Sequence, residues 1–175
     1  MPLQRFLTSL RAPAAAMALA FAAATLAADG GAPELEEKAV LGHVERVTLM
    51  PEGIAAEARL DTGASRSSLH ARDVEAFERD GEDWVRFTFD DHEGGEHAME
   101  KRLVEEIRIT QASGQEKRYT VVIGMCVGER YAEPAFTLSD RSNLTYPILV
   151  GRDFLSDRIL VSSTREYVNE PDCDE

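Results

Sequence analysis

The chain has 175 residues, with 32 Asp and Glu against 19 Lys and Arg and a formal net charge of −13 at neutral pH. That length suits one domain, and that charge repels nucleic-acid backbones and anionic lipid headgroups. Nucleic acid is therefore not an expected partner; the acidity describes a well-solvated surface.

Residues 1–27 differ in composition from the rest. Arg5 and Arg11 precede an alanine-rich apolar run from Ala12, and small residues stand at Thr25 and Ala27. This is the pattern of a cleaved secretory leader, which places the mature protein in a periplasm. The run is interrupted by Pro13 and is short for a membrane span, so no stable membrane insertion is expected after cleavage. An uncleaved anchor is the alternative. Residues 28–39, with Gly30, Gly31 and Pro33, read as a linker.

Beyond the linker, turn signals recur every eight to twelve residues between short runs of Val, Ile, Thr and aromatics, the rhythm of an all-β domain over 40–168. Val44–Leu49 and Ile54–Leu60 read as strands joined by a turn at Met50-Pro51-Glu52-Gly53. Asp80-Gly81 marks a hairpin. After it, Val85, Phe87 and Phe89 alternate with polar residues at the period of a half-buried strand. The segment 91–97 reads as an exposed polar tip, Ser113-Gly114 as a tight turn, and Tyr119–Val127 as one strand. Pro147–Val150 is a continuous apolar run, predicted to be buried on both faces. One helical turn is expected over Asp153–Asp157 and a last strand at Ile159–Val161; residues 169–175 form an acidic tail expected to fray. Cys126 sits in an apolar run where a buried free thiol is ordinary, while export permits a bond to Cys173. Both readings remain open, because sequence gives no distance.

One short segment carries chemistry. Leu60-Asp61-Thr62-Gly63-Ala64 places an acid at the end of an apolar strand, where an unpaired carboxylate is costly. Thr62 can donate a hydroxyl bond, and Gly63 lets the backbone turn and offers an unobstructed N–H. The combination makes a loop that holds a carboxylate in a fixed orientation, although a strand-ending turn with Asp as a local cap has the same composition. About ninety residues downstream comes Ile148-Leu149-Val150-Gly151-Arg152.

This pairing of motifs resembles retropepsins, the fold of retroviral proteases. Arg59–Ala64, Ser68–Ala71, Leu138–Arg141 and Tyr146–Arg152 together are similar to a bacterial family of retropepsin-like aspartic peptidases long labelled ATP-dependent zinc proteases. The likeness runs from about Val40 to Val168, with a departure at Val161–Arg165. It implies an all-β acid-protease barrel, closed or nearly so, with one or two short helices. It also implies that Asp61 is the catalytic carboxylate, that Thr62 braces the loop across a dimer axis, that the Gly63 N–H steadies the carboxylate, and that Ala64 leaves room beside it. Arg152, after Gly151, resembles the arginine that pairs with acids near the retropepsin dimer interface; a surface ion pair is the alternative.

Aspartic catalysis needs two carboxylates facing one water, and the sequence contains one Asp-Thr-Gly. A homodimer supplies the second acid by symmetry, so a peptide substrate and a second copy of the chain are the expected partners. The hairpin over 87–103 occupies the place of a retropepsin flap, with Gly94 and Gly95 giving its tip freedom to close. Its acids would favour basic peptides. No cofactor and no metal ligand set are expected: there is no His-Glu-x-x-His, no Cys-x-x-Cys and no phosphate-binding Gly-rich loop. A peptide-binding dimer that does not cut, and a zinc hydrolase, are the rival functions.

Overall fold

The computed structural model describes residues 38–111 and 114–173. The expected leader, most of the linker and the Ser113-Gly114 turn's first residue lie outside them. The described residues form twelve strands and one short helix: β1 (Ala39–Met50), β2 (Ile54–Leu60), β3 (Ser67–His70), β4 (Arg72–Arg79), β5 (Glu82–Asp90), β6 (Glu96–Gln111), β7 (Gly114–Val122), β8 (Gly124–Val127), β9 (Arg130–Ala132), β10 (Ala135–Ser139), β11 (Ile148–Val150), α1 (Arg152–Leu155) and β12 (Ile159–Glu166). The all-β class follows from the same alternation that the sequence displays. Val85, Phe87 and Phe89 are buried between exposed or half-buried neighbours, and β2 alternates in the same way.

The strands follow the order β4-β5-β6-β7-β10-β3-β11-β2-β1-β8-β9, with β12 laid parallel against β1. Strands β4 and β9 end this path without pairing each other among the described residues, so the ladder is open rather than closed. The 16-residue β6 joins two parts of the ladder. It pairs with β5 as far as Arg102, shifts register between Leu103 and Glu105, and continues against β7. Such a shift bends a strand and lets it serve two sheets.

Three local readings change. The apolar run Tyr119–Val127 is two strands: β7 pairs β6 and β10, whereas β8 pairs β1 and β9. The break comes before Gly124, where a Cβ would lie 2.7 Å from the Tyr131 hydroxyl and 3.2 Å from the Met50 Cβ. β4 escaped the pattern altogether, because none of its residues is fully buried; a charged, exposed edge strand carries no alternating signal. As far as Cys173, the last described residue, the tail is tied down rather than frayed. Cys173 is bonded to Cys126 across 47 residues of sequence, Asp172 donates its N–H to the Gly128 carbonyl at 2.7 Å, and Glu170 pairs with Arg46. A bridge of this span removes much of the unfolded chain's freedom.

The centre of the ladder positions the site. Short β11 lies between β2, which runs parallel to it, and β3, which runs antiparallel. Pro147, Ile148 and Val150 are buried and Leu149 is half-buried, so three of the four residues of the run meet the expectation of burial. β2 ends beside Val150, and the chain turns there.

Candidate active site

The turn leaving β2 is held from below. Asp61 donates its backbone N–H to the Val150 carbonyl at 2.9 Å, and the Ala64 N–H returns to the Asp61 carbonyl at 3.2 Å. The Gly63 N–H donates to Asp61 Oδ1 at 2.8 Å. Asp61 Oδ2 accepts no hydrogen bond among the described residues. A Cβ on Gly63 would approach Asp61 Oδ1 to 3.1 Å, so a small residue keeps the carboxylate's side of the loop open. Asp61 is half-buried, and Thr62 and Gly63 are exposed at the loop's crest.

The strand-to-helix corner at 150–153 locks this turn in place. The Arg152 and Asp153 N–H groups donate to the carbonyls of Ala64 and Ser65, at 3.0 and 3.3 Å. The Arg152 guanidinium donates to the carbonyls of Thr62 (3.0 Å) and Gly63 (2.8 Å). Arg152 makes no ion pair among the described residues and grips the loop's own carbonyls. The reason is geometric, since two carbonyls converge within reach of one nitrogen. Asp153 accepts from Ser67, through the backbone N–H at 3.1 Å and the hydroxyl at 2.8 Å, while Ser67 Oγ accepts the Gly151 N–H at 3.0 Å. Gly151 has no space for a side chain; a Cβ there would stand 2.6 Å from the Arg66 carbonyl carbon and oxygen. The helix is a single turn, Arg152–Leu155, and it anchors the corner by burying Phe154 and Leu155.

The tip between β5 and β6, where the sequence suggests a flap, is hydrogen-bonded within itself. Asp91 Oδ1 accepts the N–H groups of Glu93 and Gly95, each at 2.8 Å, and Oδ2 lies 3.1 Å from His97 Nε2. Partial burial pushes the Asp91 carboxyl up, but the His97 bond and the two N–H donors outweigh it and hold the group below its ordinary 3.8. Gly94 adopts φ +102°, which favours glycine. At Gly95 a Cβ would overlap the Asp91 carboxylate. Asp90 also accepts the His92 N–H at 2.8 Å within the turn, while Glu96 pairs with Arg72 at 2.6 Å. The tip also leans on the body, where the His92 ring lies 5.1 Å from that of buried His70. Burial and then the neighbouring His92 push the His70 pKa down, and its Nδ1 accepts the Arg141 N–H at 2.8 Å.

Arg141, the last residue of the Leu138–Arg141 motif, is buried. Its Nε donates to the Tyr146 carbonyl at 3.1 Å and its Nη1 to Ser68 Oγ at 2.9 Å. The adjoining Leu138–Arg141 and Tyr146–Arg152 motifs thus meet at β3, although nothing in their spacing predicts a buried guanidinium. Among the described residues no three His, Cys, Asp or Glu side chains are grouped to hold a metal ion, and no helix is long and apolar enough to cross a membrane.

Comparison with known proteins adds to this geometry. A family model described as "RimB-like: Retropepsin-like aspartic endopeptidase RimB" matches residues 40–172. Two curated relatives named "Probable alpha-L-glutamate ligase" are similar over 137 residues: that of Shewanella pealeana is 30% identical and that of Shewanella halifaxensis 29%. In each case the match covers 75% of this chain but 30% of the relative, so the chain spans about a third of the length of the ligases it resembles. A crystal structure of Legionella pneumophila protein Lpg0085, of unknown function, superposes with a TM-score of 0.65 at 30% identity, covering 74% of this chain and 97% of that one.

Proposed function

The chain belongs to the RimB-like family of retropepsin-like proteins, and from that premise we propose that it is an exported aspartic endopeptidase. In this reading it hydrolyses a peptide or amide bond in a homodimer, with Asp61 as the catalytic residue of each chain. The observation that carries the reading is the asymmetry of Asp61. One oxygen is fixed by the Gly63 N–H, and the other is left for a water, a proton or a partner carboxylate.

Two such groups on a twofold axis cannot both ionise easily, so they share one proton. The ionised member takes a proton from the water, and the water oxygen attacks the carbonyl carbon. The protonated member donates to the carbonyl oxygen. Collapse of the tetrahedral intermediate breaks the C–N bond, and the amine leaves with a proton. The apparent pKa values belong to the pair. The exposed crest at Thr62 and Gly63 supports a partner loop across the axis, and Arg152 is the positioning residue that stiffens each crest from behind.

The disulfide to Cys173 supports an oxidising compartment, in keeping with the leader expected over 1–27. The relatives' name, a ligase that joins glutamate, supports a substrate containing glutamyl residues. Their ligase activity itself is not carried over, since most of their length lies outside this match.

The test is a peptide library cleaved by the mature protein, by Asp61→Asn, and in the presence of a statine-type inhibitor or a chelator. Loss with the substitution and with the inhibitor, and none with the chelator, is expected. Full cleavage by Asp61→Asn would end this reading.

A further inference from the structure

Arg141 is 8% exposed, and burial lowers its pKa with no neighbouring carboxylate to offset it. A desolvated guanidinium without an acid is costly and calls for an anion or a dense set of acceptors. Its acceptors are two, the Tyr146 carbonyl and Ser68 Oγ, whereas a guanidinium carries five N–H donors. The adjacent acid does not serve it: Asp140 is turned to solvent and accepts the Ser142 N–H at 2.9 Å. Nor does Arg141 take part in any ion pair among the described residues.

The same side chain lines a cleft of about 350 Å³, together with Arg66, Arg118, Asp140, Ser67, Ser68 and Leu144. Arg66 follows Ala64 by two residues, so one wall of the cleft is continuous in the chain with the loop that carries Asp61. Arg66 is held at the rim by Glu105, at 2.6 Å. A chain with net charge −13 repels acidic peptides at long range, but that repulsion is screened beyond a Debye length of about 8 Å. The cleft lining carries three arginines and one carboxylate, Asp140, whose side chain is turned largely to solvent.

We propose that this cleft is a specificity subsite that takes the side-chain carboxylate of an acidic peptide residue, with Arg141 as the residue that reads it. This rests on the peptidase reading and adds the residue that selects the substrate. A planar carboxylate matches the guanidinium fork, and the fork is preset because Tyr146 and Ser68 fix its plane. Arg66 contributes a second cation at the rim, already oriented by Glu105.

The experiment compares two peptides that differ by Glu or Gln at one position, with wild-type protein, Arg141→Gln and Arg141→Lys. Wild type is expected to favour the Glu peptide by about ten- to hundredfold in kcat/KM, the range for a hydrogen bond to a charged group, expressed mainly in KM. Arg141→Gln should collapse that ratio towards one, and Arg141→Lys should restore part of it. Retention of the full ratio in Arg141→Gln, or no preference in wild type, would overturn the proposal. Because Arg141→Gln could unfold the 140–147 loop, a second measurement follows the Arg141 Nε–H NMR signal in non-cleaving Asp61→Asn protein. The Glu peptide should shift it; the Gln peptide and inorganic phosphate at equal concentration should not. An equal shift with phosphate would mark a general anion site and sink the proposal. Cleavage without Glu preference leaves the peptidase and removes the subsite. Binding of the Glu peptide at Arg141 with no cleavage by wild type does the reverse.

Discussion

Asp61 and Asp91 start from the same local device and end in opposite states. Each sits at the end of a strand and accepts the N–H of the residue two positions on, at 2.8 Å in both cases. Asp91 then gains the Gly95 N–H and His97, which occupy both of its oxygens. Asp61 gains neither, and the surrounding effort goes into its backbone: Val150, Arg152 and the Ser67–Asp153 network fix the loop but leave the carboxylate unspent. A saturated carboxylate makes a turn; a held but unsaturated one is available for chemistry.

The sharpest way to break this contrast is to neutralise each acid in turn. Asp61→Asn should lower kcat by about 10²- to 10⁴-fold, the range for losing an acid–base group, with little change in melting temperature. An activity loss that tracks unfolding would place Asp61 with Asp91 as structure. The disulfide lies outside both turns and serves as the reference for a purely structural loss. Cys173→Ser should cost about 2–4 kcal/mol in urea unfolding while the kcat of the folded fraction persists. Gly151→Ala tests the loop's backing, because a Cβ 2.6 Å from the Arg66 backbone cannot be accommodated without movement. We expect a loss of about 1–3 kcal/mol, with a fall in kcat larger than that of Cys173→Ser.

The smallest effect belongs to Asp91→Asn, and it depends on pH. The folded carboxyl ionises below its ordinary 3.8, so its stabilisation is complete above that value and is lost as pH falls through the lower, folded value. The gap in melting temperature between wild type and Asp91→Asn should therefore be widest near neutrality and narrow below about pH 4. A gap that widens in acid would reverse the sign and remove Asp91's role.

Much of the Asp61 loop was legible because its determinants are local. Leu60 to Ala64 specify strand end, acid and turn within five residues, and the apolar run before Gly151 marks the strand that supports them. The partners are not local. Ser67 meets Asp153 across 86 residues and Arg141 meets Ser68 across 73, so their roles depend on β3 lying against β11 and beside β10, which no periodicity records. β3 is four residues long and β4 is an exposed edge, too short and too polar respectively to announce themselves. The packing of the tip was not legible either: Gly95 is glycine because the Asp91 carboxylate fills the space where a side chain would stand, a contact that composition does not record.

The central claim, that one site is assembled from two Asp61 side chains in separate chains, is tested most directly by subunit mixing. Wild-type protein is equilibrated with increasing Asp61→Asn protein at constant total concentration, and cleavage is followed as the wild-type fraction falls. The account predicts activity proportional to the square of that fraction, because only dimers with two aspartates cut. Activity that falls in direct proportion to the fraction, as for self-sufficient single chains, would contradict it.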